Sequence, residues 1–200
     1  VHVDGEAAYK EAKDFVRKWG PGGPAFELTE RAGAQAHFID LCRLLGVAEP
    51  DDPERYCFER GVTKTGSAAG RTDGFADVWL KGHFAWEYKA PGKSLEGALR
   101  QLMMYALPLE SPPLLVVSDR LKLEVHTHFT GTPSERHVFA LEDVTRPEVQ
   151  QRLRTLWTEP EAWRRSAATA RSPKKRRARS LPPPSGCARR VSLPSASATS

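Results

Sequence analysis

The sequence predicts an α/β fold in which a central mixed β-sheet is flanked by helices. Apolar residues first recur with the 3.6-residue period of helices, over 6–19 and 27–45. They then recur with the two-residue period of strands, over 56–63, 75–80 and 84–89. No glycine-rich phosphate loop accompanies a strand, so the predicted order αα-βββ-α-ββ-α is not a dinucleotide-binding repeat.

The first two helices have recognisable ends and one apolar side each. The first is followed by glycines and prolines over 20–24, and the second ends at Gly46, a residue type that favours helix termination. The residues of the second helix that are predicted to face the core are Leu28, Ala32, Gln35, Phe38, Ile39, Cys42 and Leu45.

The remaining elements follow a predicted hairpin that turns near Gly82. A helix is expected over 94–107, with Ser94 as its cap and an apolar stripe of Leu95, Ala98, Leu102 and Tyr105. Strands are expected over 114–118 and 121–129, and a closing helix over 142–157.

The chain divides into an N-terminal helix over 1–23, a domain over 24–162 and a basic tail over 163–200. Residues 164–200 hold ten Lys and Arg and no acidic residue, which leaves 20 basic and 25 acidic residues in 1–163, a net charge of −5. The high isoelectric point therefore belongs to the tail and does not predict DNA binding by the folded part. The tail has too few large apolar residues to bury, so disorder is expected. Its run Lys174–Arg177 fits a localisation signal, a phosphate-binding patch or a solvated basic segment.

Several absences predict a cytoplasmic protein. The three cysteines show no C-x-x-C spacing, and Cys42 fits a reduced thiol in the core. No apolar run approaches the ~18 residues of a membrane span. The N-terminal residues VHVDGEAAYK lack the apolar region of a signal peptide.

One group of residues in the predicted hairpin can carry chemistry. Glu87 and Lys89 are two apart on one strand and share a sheet face, and the turn brings Asp77 of the preceding strand opposite them. Carboxylates of Asp77 and Glu87, with the Tyr88 carbonyl, can hold Mg²⁺ or Mn²⁺, which polarises a phosphoryl oxygen and acidifies a water. Lys89 can orient that water or offset the charge of the transition state.

From the spacing alone, a solvated hairpin with an exposed ion pair explains Asp77, Glu87 and Lys89 equally well. The surrounding residues favour the functional interpretation. Phe75, Val78, Trp79, Phe84, Trp86 and Tyr88 are bulky apolar groups typical of central strands. Ionisable side chains inside such strands are costly unless they have a use.

Longer stretches resemble a known family. GAQAHFIDLCRLLGV, FADVW, FAWEYK, QLMMYALPLESPPLLVVSD and EVHTHFTGT resemble the nuclease region of MmeI-type bifunctional restriction–modification enzymes over roughly residues 24–160. In that family one chain joins a PD-(D/E)xK endonuclease to an adenine-specific DNA methyltransferase. The resemblance implies a restriction-endonuclease-like core, double-stranded DNA as the partner, a Mg²⁺ cofactor, and catalytic roles for Asp77, Glu87 and Lys89.

Fold-level analogy adds three supporting residues. Glu30 corresponds to an extra acid that many such nucleases place beside the metal, although a solvent-facing helical Glu is an equal alternative. Gln101 and Tyr105 have the Q-x-x-x-Y spacing of RecB-like nucleases, although Tyr105 also fits a plain core residue. His126 and His128 are two apart and can ligate a metal, but strand packing or a surface position is favoured because no Cys or third His is spaced near them.

The helical spacer, methyltransferase and target-recognition domain of MmeI-like enzymes do not fit in this chain, and no S-adenosylmethionine site is expected. The Arg, Ser, Pro and Ala composition of the tail resembles a shifted reading frame, so a truncated gene product is expected. The first hypothesis is an endonuclease domain with little sequence specificity of its own. The alternatives are a catalytically silent remnant or DNA-binding module, and a stand-alone repair or resolvase-type nuclease, which the charge of −5 disfavours.

Overall fold

The computed structural model describes residues 2–62 and 74–164. Within these residues the chain forms helices and strands in the order α1 His2–Trp19, α2 Glu30–Leu45, β1 Tyr56–Val62, β2 Gly74–Leu80, β3 Phe84–Tyr88, α3 Glu96–Tyr105, β4 Leu114–Ser118, β5 Lys122–Thr127, β6 Arg136–Ala140 and α4 Pro147–Thr158. Two short 3₁₀ helices, Leu141–Thr145 and Pro160–Trp163, flank α4.

The strands form one mixed sheet in the order β1-β2-β3-β4-β5-β6. β3 and β4 are parallel, and the other neighbouring pairs are antiparallel. A parallel pair needs a crossover connection, and α3 supplies it between β3 and β4. The predicted α/β class with a helix-flanked mixed sheet is therefore confirmed.

Each face of the sheet has its own apolar core. The larger core lies on the side of α1, α2 and α4, where Phe38 contacts the rings of Trp86 and Trp157. The smaller core lies under α3, where Leu102 packs with Trp79 and Val117. Among the described residues no helix is both long enough and apolar enough to span a membrane.

The buried face of α2 differs from the predicted one. Leu28 and Ala32 are exposed, and Gln35 and Ile39 are only partly buried. Gly33, Ala34, His37 and Leu41 are buried in their place, beside Phe38, Cys42 and Leu45. The prediction was wrong because His37 packs among the rings of Phe15, Trp19 and Tyr88, and Gly33 leaves room for the Arg120 guanidinium. Neither the burial of His37 nor the close approach of Arg120 to Gly33 follows from apolar periodicity.

The helix predicted over 142–157 is also interrupted. Proline lacks the N–H that a continuous helix requires, so the 3₁₀ turn ends before Pro147 and α4 begins there. In α3 the predicted Ser94 cap is wrong, because the N-cap is Leu95, which makes no side-chain capping bond. The predicted stripe of α3 is confirmed, because Leu95, Ala98, Leu102 and Tyr105 are all buried.

Two features near the C-terminal end of the fold were not predicted. β6 is a short edge strand of the described sheet, paired with β5, and its five residues RHVFA show no alternation of apolar and polar side chains that would indicate a strand. Trp163, expected at the start of the tail, is 1% exposed. Its indole donates to Thr155 Oγ1 at 2.9 Å and lies 3.8 Å from the Arg152 guanidinium. Trp163 therefore packs with the fold, one residue beyond the predicted domain end at 162. The rest of the predicted tail, from 165, lies outside the described residues.

Candidate active site

The predicted catalytic residues lie where β2 and β3 separate. The two strands pair from Leu80 and Phe84 as far as Val78 and Trp86. At the next position Asp77 leaves the ladder, and its Oδ2 accepts a hydrogen bond from the Tyr88 backbone N–H at 2.6 Å. The side chain of Asp77 thus replaces a carbonyl of the strand and holds the end of β3 in place.

The side chains of β2 switch from one face of the sheet to the other at Asp77. Residues two apart on a strand normally share a face, yet Ala76 packs in the core under α3 and Val78 packs in the core under α2. On β1, Glu59 lies between the pairs Phe58–Val78 and Arg60–Ala76 and has the left-handed φ of 52°. This local distortion brings Asp77 to the edge between the two helical layers.

Glu87 is a buried carboxylate, 4% exposed. Its Oε1 accepts hydrogen bonds from Lys89 Nζ and Gln101 Nε2, both at 2.9 Å. Its Oε2 is buried and has no hydrogen-bond partner among residues 2–62 and 74–164. Burial, followed by the charge of Asp77, raises the pKa of Glu87 to about 7, although Lys89 opposes the shift. One oxygen of Glu87 is therefore held by two donors, and the other is a buried acceptor without a partner among the described residues.

Asp77 and Lys89 are perturbed by the same surroundings. Burial raises the pKa of Asp77, and its hydrogen bond from Tyr88 and the charge of Lys89 oppose the rise. Burial alone lowers the pKa of Lys89, but the hydrogen bond and charge of Glu87, with Glu30 and Asp77, raise it overall. Lys89 therefore remains a cation beside the carboxylates.

Glu30 connects α2 to this site. It is the first residue of α2, and its Oε2 accepts from the Ala90 backbone N–H at 2.8 Å. Its Oε1 lies 3.8 Å from Lys89 Nζ, so Lys89 has a carboxylate on two sides. The structure thus places Glu30 beside Lys89, although its side chain remains solvent-exposed.

Gln101 and Tyr105 of α3 lie differently with respect to the site. Gln101 contacts Glu87 directly and also approaches the Phe75 carbonyl at 3.5 Å. Tyr105 is buried, and a side chain at Gly74 would overlap its hydroxyl. Gln101 therefore orients Glu87, whereas Tyr105 packs against the start of β2, which fits the core alternative.

Arg31, Gln35 and Glu59 form a cluster that sequence reasoning missed. The Glu59 carboxylate accepts from Arg31 Nε at 3.0 Å, Arg31 Nη2 at 2.8 Å and Gln35 Nε2 at 3.2 Å. An open cleft is lined by Glu30, Arg31, Ala34, Glu59, Phe75 and Asp77. A polar residue in a strand usually indicates a solvated face, so nothing in the sequence marked Glu59. Its left-handed backbone was the only signal, and it is visible only in the structure.

Few groups in this site have atoms that could ligate a metal ion. Within the described part of the chain, no three or more His, Cys, Asp or Glu side chains are arranged to hold a metal ion. The two carboxylates of Asp77 and Glu87, including the unpartnered Oε2 of Glu87, and the predicted Tyr88 carbonyl still supply the hard oxygen atoms that Mg²⁺ prefers. His128 lies beyond β5 with Nδ1 3.3 Å from the Pro112 carbonyl, and His126 contacts Glu124, so these two histidines do not share a site.

The arrangement combines the buried carboxylate of Glu87, the partly buried carboxylate of Asp77, a lysine between two carboxylates and an adjacent open cleft. These groups come from β2, β3, α2 and α3, and each is held by contacts to another element. Comparisons of the chain with protein families, with curated proteins and with solved structures find no match.

Proposed function

We propose that this chain is a metal-dependent DNA endonuclease domain of the PD-(D/E)xK type, linked to a restriction–modification system, that hydrolyses phosphodiester bonds. The observation that carries the proposal is the convergence of Asp77, Glu87 and Lys89 at the point where β2 and β3 separate. Asp77, Glu87 and Lys89 have the spacing D-x9-E-x-K. Asp77 accepts a hydrogen bond from the backbone N–H of Tyr88, the residue between Glu87 and Lys89.

Each of these residues would have its own role in metal-dependent hydrolysis of a phosphodiester bond. Asp77, Glu87 and the Tyr88 carbonyl would hold Mg²⁺, with Mn²⁺ as a substitute. When bound, the ion supplies Lewis acidity toward a phosphoryl oxygen and lowers the pKa of a water. The raised pKa of Glu87 fits a buried carboxylate whose charge Lys89 offsets only in part, so that a bound metal ion would favour its ionised form. The Gln101 and Lys89 donors hold its Oε1, so Oε2 is the oxygen of Glu87 that would remain for the ion.

Lys89 is suited to stabilise the transition state. Its ammonium group has three N–H donors, and Glu87 accepts one of them at 2.9 Å. A second donor is available to the attacking water or to a phosphate oxygen that gains negative charge. Glu30, 3.8 Å away, and the Asp77 charge keep this amine protonated.

Plasmid cleavage tests the proposal. The full chain is incubated with supercoiled DNA in Mg²⁺, Mn²⁺ or EDTA, and Mn²⁺ binding is measured separately by calorimetry. Cleavage is expected with either ion and not with EDTA. Lys89→Ala should abolish cleavage while the chain still binds Mn²⁺, and Asp77→Ala should abolish both. Lys93→Ala is the matched control, because Lys93 is an exposed lysine in the following loop.

The outcomes separate the hypotheses. Cleavage that continues in EDTA or survives Asp77→Ala would show that another site or a contaminant is responsible. A wild-type chain that binds DNA and Mn²⁺ without cleaving would contradict the endonuclease and favour the alternative, a catalytically silent DNA-binding module.

A further inference from the structure

A second charged cluster lies on β5 and β6, around the carboxylate of Glu124. Arg136 donates to it through Nε at 2.9 Å and Nη2 at 2.7 Å, and Lys122 Nζ lies 3.0 Å from Oε1. His126 Nε2 lies 3.3 Å from Oε2. A single carboxylate is therefore surrounded by three basic side chains, and we refer to Lys122, Glu124, His126 and Arg136 as the Glu124 cluster.

The Glu124 cluster carries excess positive charge at neutral pH. The hydrogen bond from Arg136 is the largest influence, and with Lys122 it lowers the pKa of Glu124 to about 2 although burial opposes it. Burial lowers the pKa of His126, so its imidazole is neutral at pH 7. One ionised carboxylate thus faces two cations, and the net charge is positive.

The cations of the cluster are held in place but remain accessible. Glu124 has a side chain only 7% exposed, whereas the side chains of Lys122 and Arg136 are 42% and 55% exposed. The buried carboxylate fixes the Arg136 guanidinium by two of its nitrogens and leaves Nη1 for another acceptor, as Lys122 has further N–H donors. Such preorganised donors lose little conformational entropy when an oxyanion binds.

The cluster borders an open cleft beside α3. The cleft is lined by Ser94, Leu95, Glu96 and Leu99 from the start of α3 and by the four cluster residues. Glu96 is the acidic residue of the α3 wall, and it pairs with Arg100 one turn further along at 3.3 Å. The strand side of the cleft is therefore its basic side.

The Glu124 cluster lies on the same sheet face as Glu87. In the sheet register Glu87 is opposite Val117, and Val117 is opposite Glu124. Residues directly opposite one another point to the same face, and two strand spacings correspond to about 10 Å. One DNA strand carries a phosphate every ~3.4 Å of helix axis, so that separation corresponds to about three phosphate steps along one strand, well within one turn of the duplex.

From these observations we propose that Lys122 and Arg136, held by Glu124, bind a phosphate of the same DNA molecule whose phosphodiester bond occupies the Asp77–Glu87 site. This inference rests on the proposed function. It assigns a backbone contact, which positions the duplex and carries no sequence information. It also gives the folded part, with its net negative charge, a local basic surface for DNA.

Binding in EDTA tests the assignment without cleavage. Fluorescence anisotropy of the full chain with a labelled 20-base-pair duplex is measured from 50 to 300 mM salt. The double variant Lys122→Gln, Arg136→Gln is expected to bind about fivefold to tenfold more weakly, and the slope of log K against log salt should fall by about 1, as for the loss of one phosphate contact. The matched control is Arg43→Gln, Arg146→Gln, which removes two exposed cations paired with Glu49 and Asp143.

The double variant leaves the buried Glu124 without its cations, so it can lose stability. The triple variant Lys122→Gln, Glu124→Gln, Arg136→Gln removes that unpaired charge and is expected to show the same weaker binding and smaller slope. A wild-type chain that does not bind the duplex, or folded variants that bind like the control, would overturn the inference. If the wild-type chain never cleaves DNA but these variants bind the duplex more weakly than it does, the proposed endonuclease is contradicted and the phosphate contact is not.

Discussion

Replacing Glu87 by Gln should stabilise the folded chain at high pH. The raised pKa of about 7 means that the folded state holds a proton on Glu87 that the unfolded chain, with the ordinary value of 4.5, has already released. Stability is therefore lost as the pH rises from about 4.5 to 7 and stays low above it. Gln resembles the protonated carboxyl in shape and still accepts from Gln101 and Lys89 through its carbonyl oxygen.

The magnitude follows from the two pKa values. One pKa unit corresponds to about 1.4 kcal/mol, so the difference between 4.5 and about 7 corresponds to roughly 3 kcal/mol at pH 8.5. The pKa of about 7 for Glu87 already includes the effect of its ion pair with Lys89. The raised pKa of Lys89 contributes stability that is fully present and constant below its ordinary value of 10.5 and is lost only at higher pH, outside this range. At pH 5, where Glu87 is protonated in the folded chain, the variant and the wild type should differ little.

Urea unfolding in EDTA measures this difference at pH 5 and pH 8.5. The Glu87→Gln chain should unfold at a urea concentration about 1 M or more above that of the wild type at pH 8.5. Glu96→Gln serves as the control, because Glu96 is exposed on α3, and it should change stability by less than about 0.5 kcal/mol at both pH values. An equal gain at pH 5 and pH 8.5, or a loss at pH 8.5, would refute the buried-carboxylate reasoning. Addition of Mn²⁺ should stabilise the wild type and not the variant.

The remaining predictions concern packing and the boundary of the fold. Gly33→Ala should cost about 1–3 kcal/mol, because its Cβ would overlap the Arg120 guanidinium, which is buried and held by the carbonyls of Ala25 and Leu28. Gly97→Ala, with open space at its Cβ, should gain up to about 1 kcal/mol, and equal effects of the two changes in chemical denaturation would contradict this. Trp163→Ala should cost about 3 kcal/mol because the indole is almost fully buried, and a change below 1 kcal/mol would place it outside the fold. Deletion of residues 165–200 should shift the melting temperature by less than about 3 °C; a larger drop would show that the tail is a structural element.

The sequence by itself determined the elements whose patterns are local. The apolar periods located both N-terminal helices, the hairpin around Gly82 and the strand at 114–118 within a few residues. They also predicted that Glu87 and Lys89 lie on one side of the sheet, because side chains alternate along every strand, and the two side chains are in contact although β3 ends at Tyr88. Where the pattern was weak, as in β6, or where Pro147 interrupted a helix, the prediction failed for equally local reasons.

Only the tertiary structure decided what surrounds those residues. The hydrogen bond from Ala90 to Glu30 joins residues 60 positions apart, and the one from Gln101 to Glu87 depends on the crossover that lays α3 on the sheet. The left-handed backbone of Glu59 and the carboxylate of Glu124 among three basic groups have no local signature at all. Local patterns reflect how each segment divides its own side chains between core and solvent. The partners of a buried charge are set by which segments pack together, because burial removes the water that would otherwise solvate it.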